Sequence, residues 1–104
     1  MIIDDLRSKI IEYAKAKDAL RLGVLRYYLS KVKDKEIELR PSGEVMNDDI
    51  AFKLLRKQIK ERNQSIELYE QGKRQDLVDK ETAELGVLKE FAQLFPFELD
   101  LPTR

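Results

Sequence analysis

Paired carboxylates, a run of cations and a few isolated polar side chains are the groups in this chain with chemistry to offer. Glu67 with Glu70, and Glu81 with Glu84, stand three residues apart. On a helix that spacing brings both carboxylates to one face, where they could hold a divalent cation or share acid–base work. Against that reading, the sequence contains no His and no Cys. Ser–His and Cys–His nucleophiles, histidine-containing metal sites and disulfides are therefore excluded. With Arg and Lys close by in sequence, the carboxylates are better employed as ion-pair partners. The expectation is a non-catalytic protein with no metal and no cofactor.

The cations suggest a different chemistry. Lys53, Arg56, Lys57, Lys60 and Arg62 include pairs three and four residues apart, and Lys31, Lys33 and Lys35 lie upstream. Several of these charges must share a helix face, which could be a solvated exterior or a surface for phosphate. Net charge is zero, with ten Lys/Arg against seven Asp/Glu in residues 1–40 and ten against thirteen in residues 41–104. Any polyanion must therefore be met by a local face, because the summed field does not attract it. Lys31, Lys33, Lys53, Arg56, Lys57, Lys60 and Arg62 are the candidate RNA-binding residues. Tyr27 and Tyr28 are adjacent and point in different directions, so one belongs to a core and the other is a surface ring able to stack on a base.

A third group interrupts apolar stripes. Arg26 lies between Leu25 and Leu29, while Gln58, Arg62 and Ser65 break the stripe of the segment after residue 48. A charge or amide near a core seam costs several kcal/mol unless paired. Arg26, Gln58, Arg62 and Ser65 are therefore expected, with Glu81 or Glu84, to form an interhelical polar network that fixes register. The alternative is a polar cleft.

Helices must carry all of these groups. In residues 4–16, Leu6, Ile10, Tyr13 and Ala14 recur at helical spacing behind Asp4 and Asp5, which favour a helix start. Asp18 is the expected N-cap of a second helix to about residue 40, with Leu22, Leu25, Leu29, Val32 and Ile37 inward and Pro41 ending it. Asn47 or Asp48 caps a third helix that Gly72 stops in the left-handed conformation, with Phe52, Leu55, Ile59, Ile66 and Tyr69 on one side. Asp76 is expected to cap the fourth, which buries Leu77, Leu85, Leu88, Ala92 and Phe95 before Pro96. Gly23 and Gly86 fall mid-helix, where each costs about 1 kcal/mol relative to Ala. Close approach of a neighbouring backbone would explain them, as would a notch admitting a ligand or partner. No sequence repeat is evident. The fold expected is all-α, an antiparallel bundle of about four helices over residues 1–95, with an irregular tail over 96–104 that drapes over the bundle or frays. No apolar run approaches the roughly 20 residues that span a bilayer, and a soluble, cytoplasmic protein is expected.

The order of these segments is informative as a whole. Lys15-Ala16-Lys17-Asp18, Val24-Leu25-Arg26 and Lys33-Asp34-Lys35-Glu36-Ile37, then Asp48-Asp49-Ile50, Leu54 to Ile66, Tyr69, Gly72, Arg74, Asp76-Leu77 and Glu84, together resemble the N-terminal helical domain of the GatB/YqeY family. The resemblance runs from about residue 5 to residue 92 and is spread over four helices. It implies an all-α domain related to the C-terminal tail of the amidotransferase subunit that acts on mischarged Glu-tRNA or Asp-tRNA, a tail associated with holding tRNA while the amide-transfer chemistry sits elsewhere. Family members continue with a Tyr-Leu-Pro step and a Gln-Leu-Ser segment opening a second, smaller domain. This chain instead reads Phe91-Ala92-Gln93-Leu94-Phe95-Pro96-Phe97, so that domain is expected to be missing by truncation or divergence.

Three functions follow as expectations. The first is a non-catalytic module that binds RNA, with tRNA the expected ligand, through its basic helix face. The second is a helical protein-interaction or oligomerisation module, monomer or homodimer, whose apolar groove receives a partner helix, a second copy or the Phe95 to Leu101 tail. The third is an accessory to a carbon–nitrogen ligase that uses glutamine as amido-N donor, acting with amidotransferase subunits.

Overall fold

A computed structural model describes residues 1–99 as four α-helices packed into an antiparallel bundle, with no strand among the described residues. The helices are α1 (Ile2–Lys15), α2 (Ala19–Leu39), α3 (Asp48–Gln71) and α4 (Gln75–Ala92), and a short 3-10 turn, Arg40–Ser42, follows α2. The long third helix packs most extensively on α4, and α2 bridges α1, α3 and α4. The expected tail falls partly outside the described residues. Within them, Phe95 is buried and Phe97 lies over the α3 residue Phe52, with ring centroids 5.2 Å apart.

Asp18 closes one helix and opens the next. Its N–H donates to the Tyr13 carbonyl while Lys17, in the left-handed conformation at φ 56°, donates to Ala14, a Schellman termination of α1. The Asp18 carboxylate then accepts from the Arg21 N–H as the N-cap of α2. The α3–α4 turn repeats the backbone geometry without the cap. Arg74 donates to the Tyr69 carbonyl and Lys73 takes the left-handed position at φ 55°, but Arg74 then becomes the N-cap of α4 with no side chain to accept.

Three expectations for this turn are corrected accordingly. Gly72 is the C-cap at φ −83°, one residue before the left-handed position. Asp76 lies inside the first turn of α4, where it pairs with the Arg74 guanidinium at 3.0 Å instead of capping. The inward residue is Val78, buried, whereas Leu77 is half-buried. The α4 helix starts two residues earlier than Asp76 as cap would place it, at Gln75 behind Arg74, while the expected inward residues Leu85, Leu88, Ala92 and Phe95 are all buried.

The core is a single cluster including Ile3, Leu6, Leu25, Tyr28, Leu55, Ile59, Leu88 and Phe91. Tyr28 is its largest fully buried side chain, and its hydroxyl donates to the Ala51 carbonyl at 2.7 Å, which pins α2 to α3. Burial pushes the phenol well above its ordinary pKa, keeping it a donor. Ile37, expected inward, is exposed. Gly23 and Gly86 are also exposed, and a Cβ built on either meets nothing within 4 Å. Backbone crowding therefore does not account for them. Both sit in the same tetrapeptide, Leu-Gly-Val-Leu, at 22–25 on α2 and 85–88 on α4, with the Val and the second Leu inward each time.

Candidate functional site

Helical spacing on α2 puts Tyr27, Lys31, Asp34, Lys35 and Glu38 along one side, facing Leu54, Lys57, Gln58 and Glu61 of α3 across a cleft of about 360 Å³. A second cavity of about 280 Å³ continues it towards α4, sharing Tyr27, Gln58 and Glu61 and adding Arg62, Ser65 and Glu81. A third, about 270 Å³, opens where Gly23 and Tyr27 of α2 face Arg62 and Glu84. Tyr27 borders all three cavities. It is the surface ring of the tyrosine pair, 48% exposed, and the Lys31 ammonium lies over it at 5.2 Å from the centroid.

The rim is charge-balanced. Lys31, Lys35 and Lys57 are matched by Asp34, Glu38 and Glu61, and Lys35 pairs with Glu38 at 3.1 Å. The floor is not balanced. Gln58 is only 6% exposed, and neither its amide nitrogen nor its amide oxygen has a hydrogen-bond partner within the protein. It is the sole buried polar residue among the described ones. An unpaired amide in such a place carries a desolvation penalty of about 1–3 kcal/mol for each orphaned group.

One turn further along α3 the opposite holds. The Arg62 Nη1 donates to Glu81 Oε2 at 2.6 Å and makes a second ion pair with Glu84 Oε2 at 2.6 Å, with all three side chains largely withdrawn from solvent. Two carboxylates at i, i+3 on α4 converge on one guanidinium from α3, an arrangement that sets helix register. Both carboxylates are thereby committed to Arg62. Among the described residues no group of His, Cys, Asp or Glu could hold a metal ion.

The candidate residues thus divide. Arg62, expected either on the RNA-binding face or in a network with Glu81 or Glu84, is turned inward into the Glu81–Glu84 node, because position 62 falls on the same side of α3 as the core residues 55, 59 and 66. Arg26, expected in the polar network, is exposed and takes no part in these ion pairs. Ser65 borders the second cavity, and Gln58 enters no network at all. Lys53, Lys57 and Lys60 are exposed at four- and three-residue steps on the outer side of α3, with Lys53 paired to Asp49 at 3.1 Å and Arg56 partly buried. Lys31 joins the cleft, whereas Lys33, two residues on, falls on the far side of α2. Sequence reasoning missed Asp34, Glu38 and Glu61 as rim residues. The steps from Tyr27 to Lys31, Asp34 and Glu38 were the available signal.

A separate polar node ties the start of the second helix to the fourth. Arg21 donates to Glu90 at 2.6 and 2.9 Å and to Asp18 at 2.9 Å. Hydrogen bonds from Arg21 hold the Glu90 carboxyl below its ordinary pKa, and the Arg21 N–H does the same first for Asp18.

A family model described as "Yqey-like protein" matches residues 3–100. Fungal proteins named "Altered inheritance of mitochondria protein 41, mitochondrial" are similar: that of Saccharomyces cerevisiae is 32% identical over 93% of this chain and 49% of its own length. Those of Kluyveromyces lactis and Lachancea thermotolerans are 33% and 34% identical, over 78% and 88% of this chain and 43% and 46% of theirs. The chain spans about half the length of the curated relatives it matches.

Proposed function

Because the chain belongs to the YqeY-like family, we propose that it is a non-catalytic helical module that binds RNA, with tRNA as the ligand class, in the cytoplasm. The observation carrying this reading is the outer side of α3, where Lys53, Lys57 and Lys60 stand exposed in register while the inward Arg62 is already neutralised. Phosphate contacts from such a stripe supply sequence-independent affinity. The Glu81 and Glu84 carboxylates are occupied and no His or Cys is present, so acid–base or nucleophilic work has no free constellation to run on. The family's likeness to the tail of the tRNA-dependent amidotransferase subunit supports tRNA over other polyanions.

Titrating tRNA affinity against salt tests the reading. Affinity should fall steeply as salt rises, and Lys57→Glu/Lys60→Glu should weaken binding and flatten the slope of log K against log salt by about 2. Absence of binding at low salt contradicts it. A protein-interaction module, the second reading, would leave tRNA unbound and show instead as a concentration-dependent mass. An accessory of a carbon–nitrogen ligase would co-purify with amidotransferase subunits.

A further inference from the structure

Gln58 has no structural use that the fold reveals. It lies in the seam between α2 and α3, more than nine-tenths buried, with donor and acceptor both unpaired, and it forms part of the wall shared by two adjoining cavities. Leu or Met would fill the same volume without the penalty. Beside it stands Tyr27, an aromatic ring left half in solvent at the border of the same two cavities. We propose that the α2–α3 cleft takes one unstacked nucleobase of a bound RNA, its hydrogen-bonding edge paired with the Gln58 amide and its ring laid against Tyr27.

The chemistry of the cleft selects a base over other occupants. A primary amide offers N–H and C=O side by side, the complement of a base edge that presents an acceptor next to a donor, and amide side chains pair with bases in this bidentate way. Aromatic stacking supplies affinity to any base, and single-stranded RNA is recognised largely through stacked, splayed-out bases. The rim, with three lysines set against three carboxylates, is poorly suited to a phosphate but tolerates a neutral base. Phosphates are left to the outer edge of α3, where exposed Lys53 and Lys60 stand beside Lys57 at the mouth of the cleft. The first cavity, about 360 Å³, is at the small end of ligand-sized sites, which fits one base rather than a helix or strand.

This inference rests on the RNA reading, and the experiment separates the two. Binding of tRNA, and of a single-stranded oligoribonucleotide, is measured against salt for the full chain, Gln58→Leu, Tyr27→Ala and Lys57→Glu/Lys60→Glu. Gln58→Leu should bind about ten- to hundred-fold more weakly at every salt concentration with an unchanged slope, and Tyr27→Ala about ten-fold more weakly or worse. The double Lys variant should change the slope. Should Gln58→Leu fail to fold, Tyr27→Ala, altered at an exposed ring, carries the test alone. If the Lys variant weakens binding while Gln58→Leu and Tyr27→Ala bind like the parent, RNA is bound but the base site is refuted. If the parent binds no RNA at low salt, both readings fall. If N-acetylglutaminamide perturbs the Gln58 side-chain resonances and nucleoside monophosphates do not, the cleft receives a protein side chain and the proposal is overturned.

Discussion

Gln58 and Arg62 are one helical turn apart on the same side of α3, and both put a polar group where the apolar pattern calls for a hydrocarbon. Arg62 has two carboxylates from α4 at 2.6 Å, and the Gln58 amide has no partner within the protein. The difference teaches how to separate polar residues kept for the fold from those kept for a ligand. A satisfied inward charge fixes register, and removing it leaves its partners uncompensated. An unsatisfied inward amide burdens the free protein, and its removal should relieve it.

The strongest way to break the contrast is Arg62→Ala. It leaves Glu81 and Glu84 facing each other without a cation, and should lower unfolding free energy by about 2–4 kcal/mol in urea denaturation. A cost below about 0.5 kcal/mol would make the node ornamental. Gln58→Leu should move the other way, raising stability by about 1–2 kcal/mol, since an apolar side chain of similar volume replaces an orphaned amide. A loss of stability would mean that Gln58 is satisfied in solution.

Two backbone changes calibrate those numbers. Gly86→Ala, whose added methyl meets open space, should stabilise by about 1 kcal/mol. Lys73→Gly, relieving a non-glycine residue at φ 55°, should stabilise by about 0.5–1 kcal/mol. The smallest effect expected is that of acid on the Arg21 node. Asp18 and Glu90 have folded-state pKa values below their unfolded ones, so their contribution is complete above the unfolded values of about 4 and is lost as pH falls through the folded ones. Arg21→Met should shrink that acid-side loss, measured as midpoint against pH.

The helices, their order and most of their inward residues were legible in the sequence because each stripe repeats at helical spacing and Asp18, Asn47 and Gly72 mark real boundaries. The α3–α4 turn was less legible. Nothing local shows that Lys73 takes the left-handed position next to a glycine that does not, so that α4 starts two residues early, at Gln75, and its first inward residue is Val78 rather than Leu77. Of the candidate site, the cationic run, the inward polar residues and the Glu81 and Glu84 carboxylates could be singled out, but not which inward residue those carboxylates would take. Whether Arg62 faces phosphate or Glu84 depends on how α4 packs on α3, a long-range fact. The same holds for Gln58, whose lack of a partner is visible only once every neighbour is placed.

The measurement that bears most directly on this division is the side-chain ¹H–¹⁵N spectrum of the full chain, recorded as tRNA is added. If Gln58 is the unpaired group reserved for a base, its amide protons should shift on binding towards values typical of hydrogen-bonded amides, while the Arg62 Nε–H signal stays in place. A Gln58 signal that does not move with RNA bound, or an Arg62 signal that moves instead, would contradict the account.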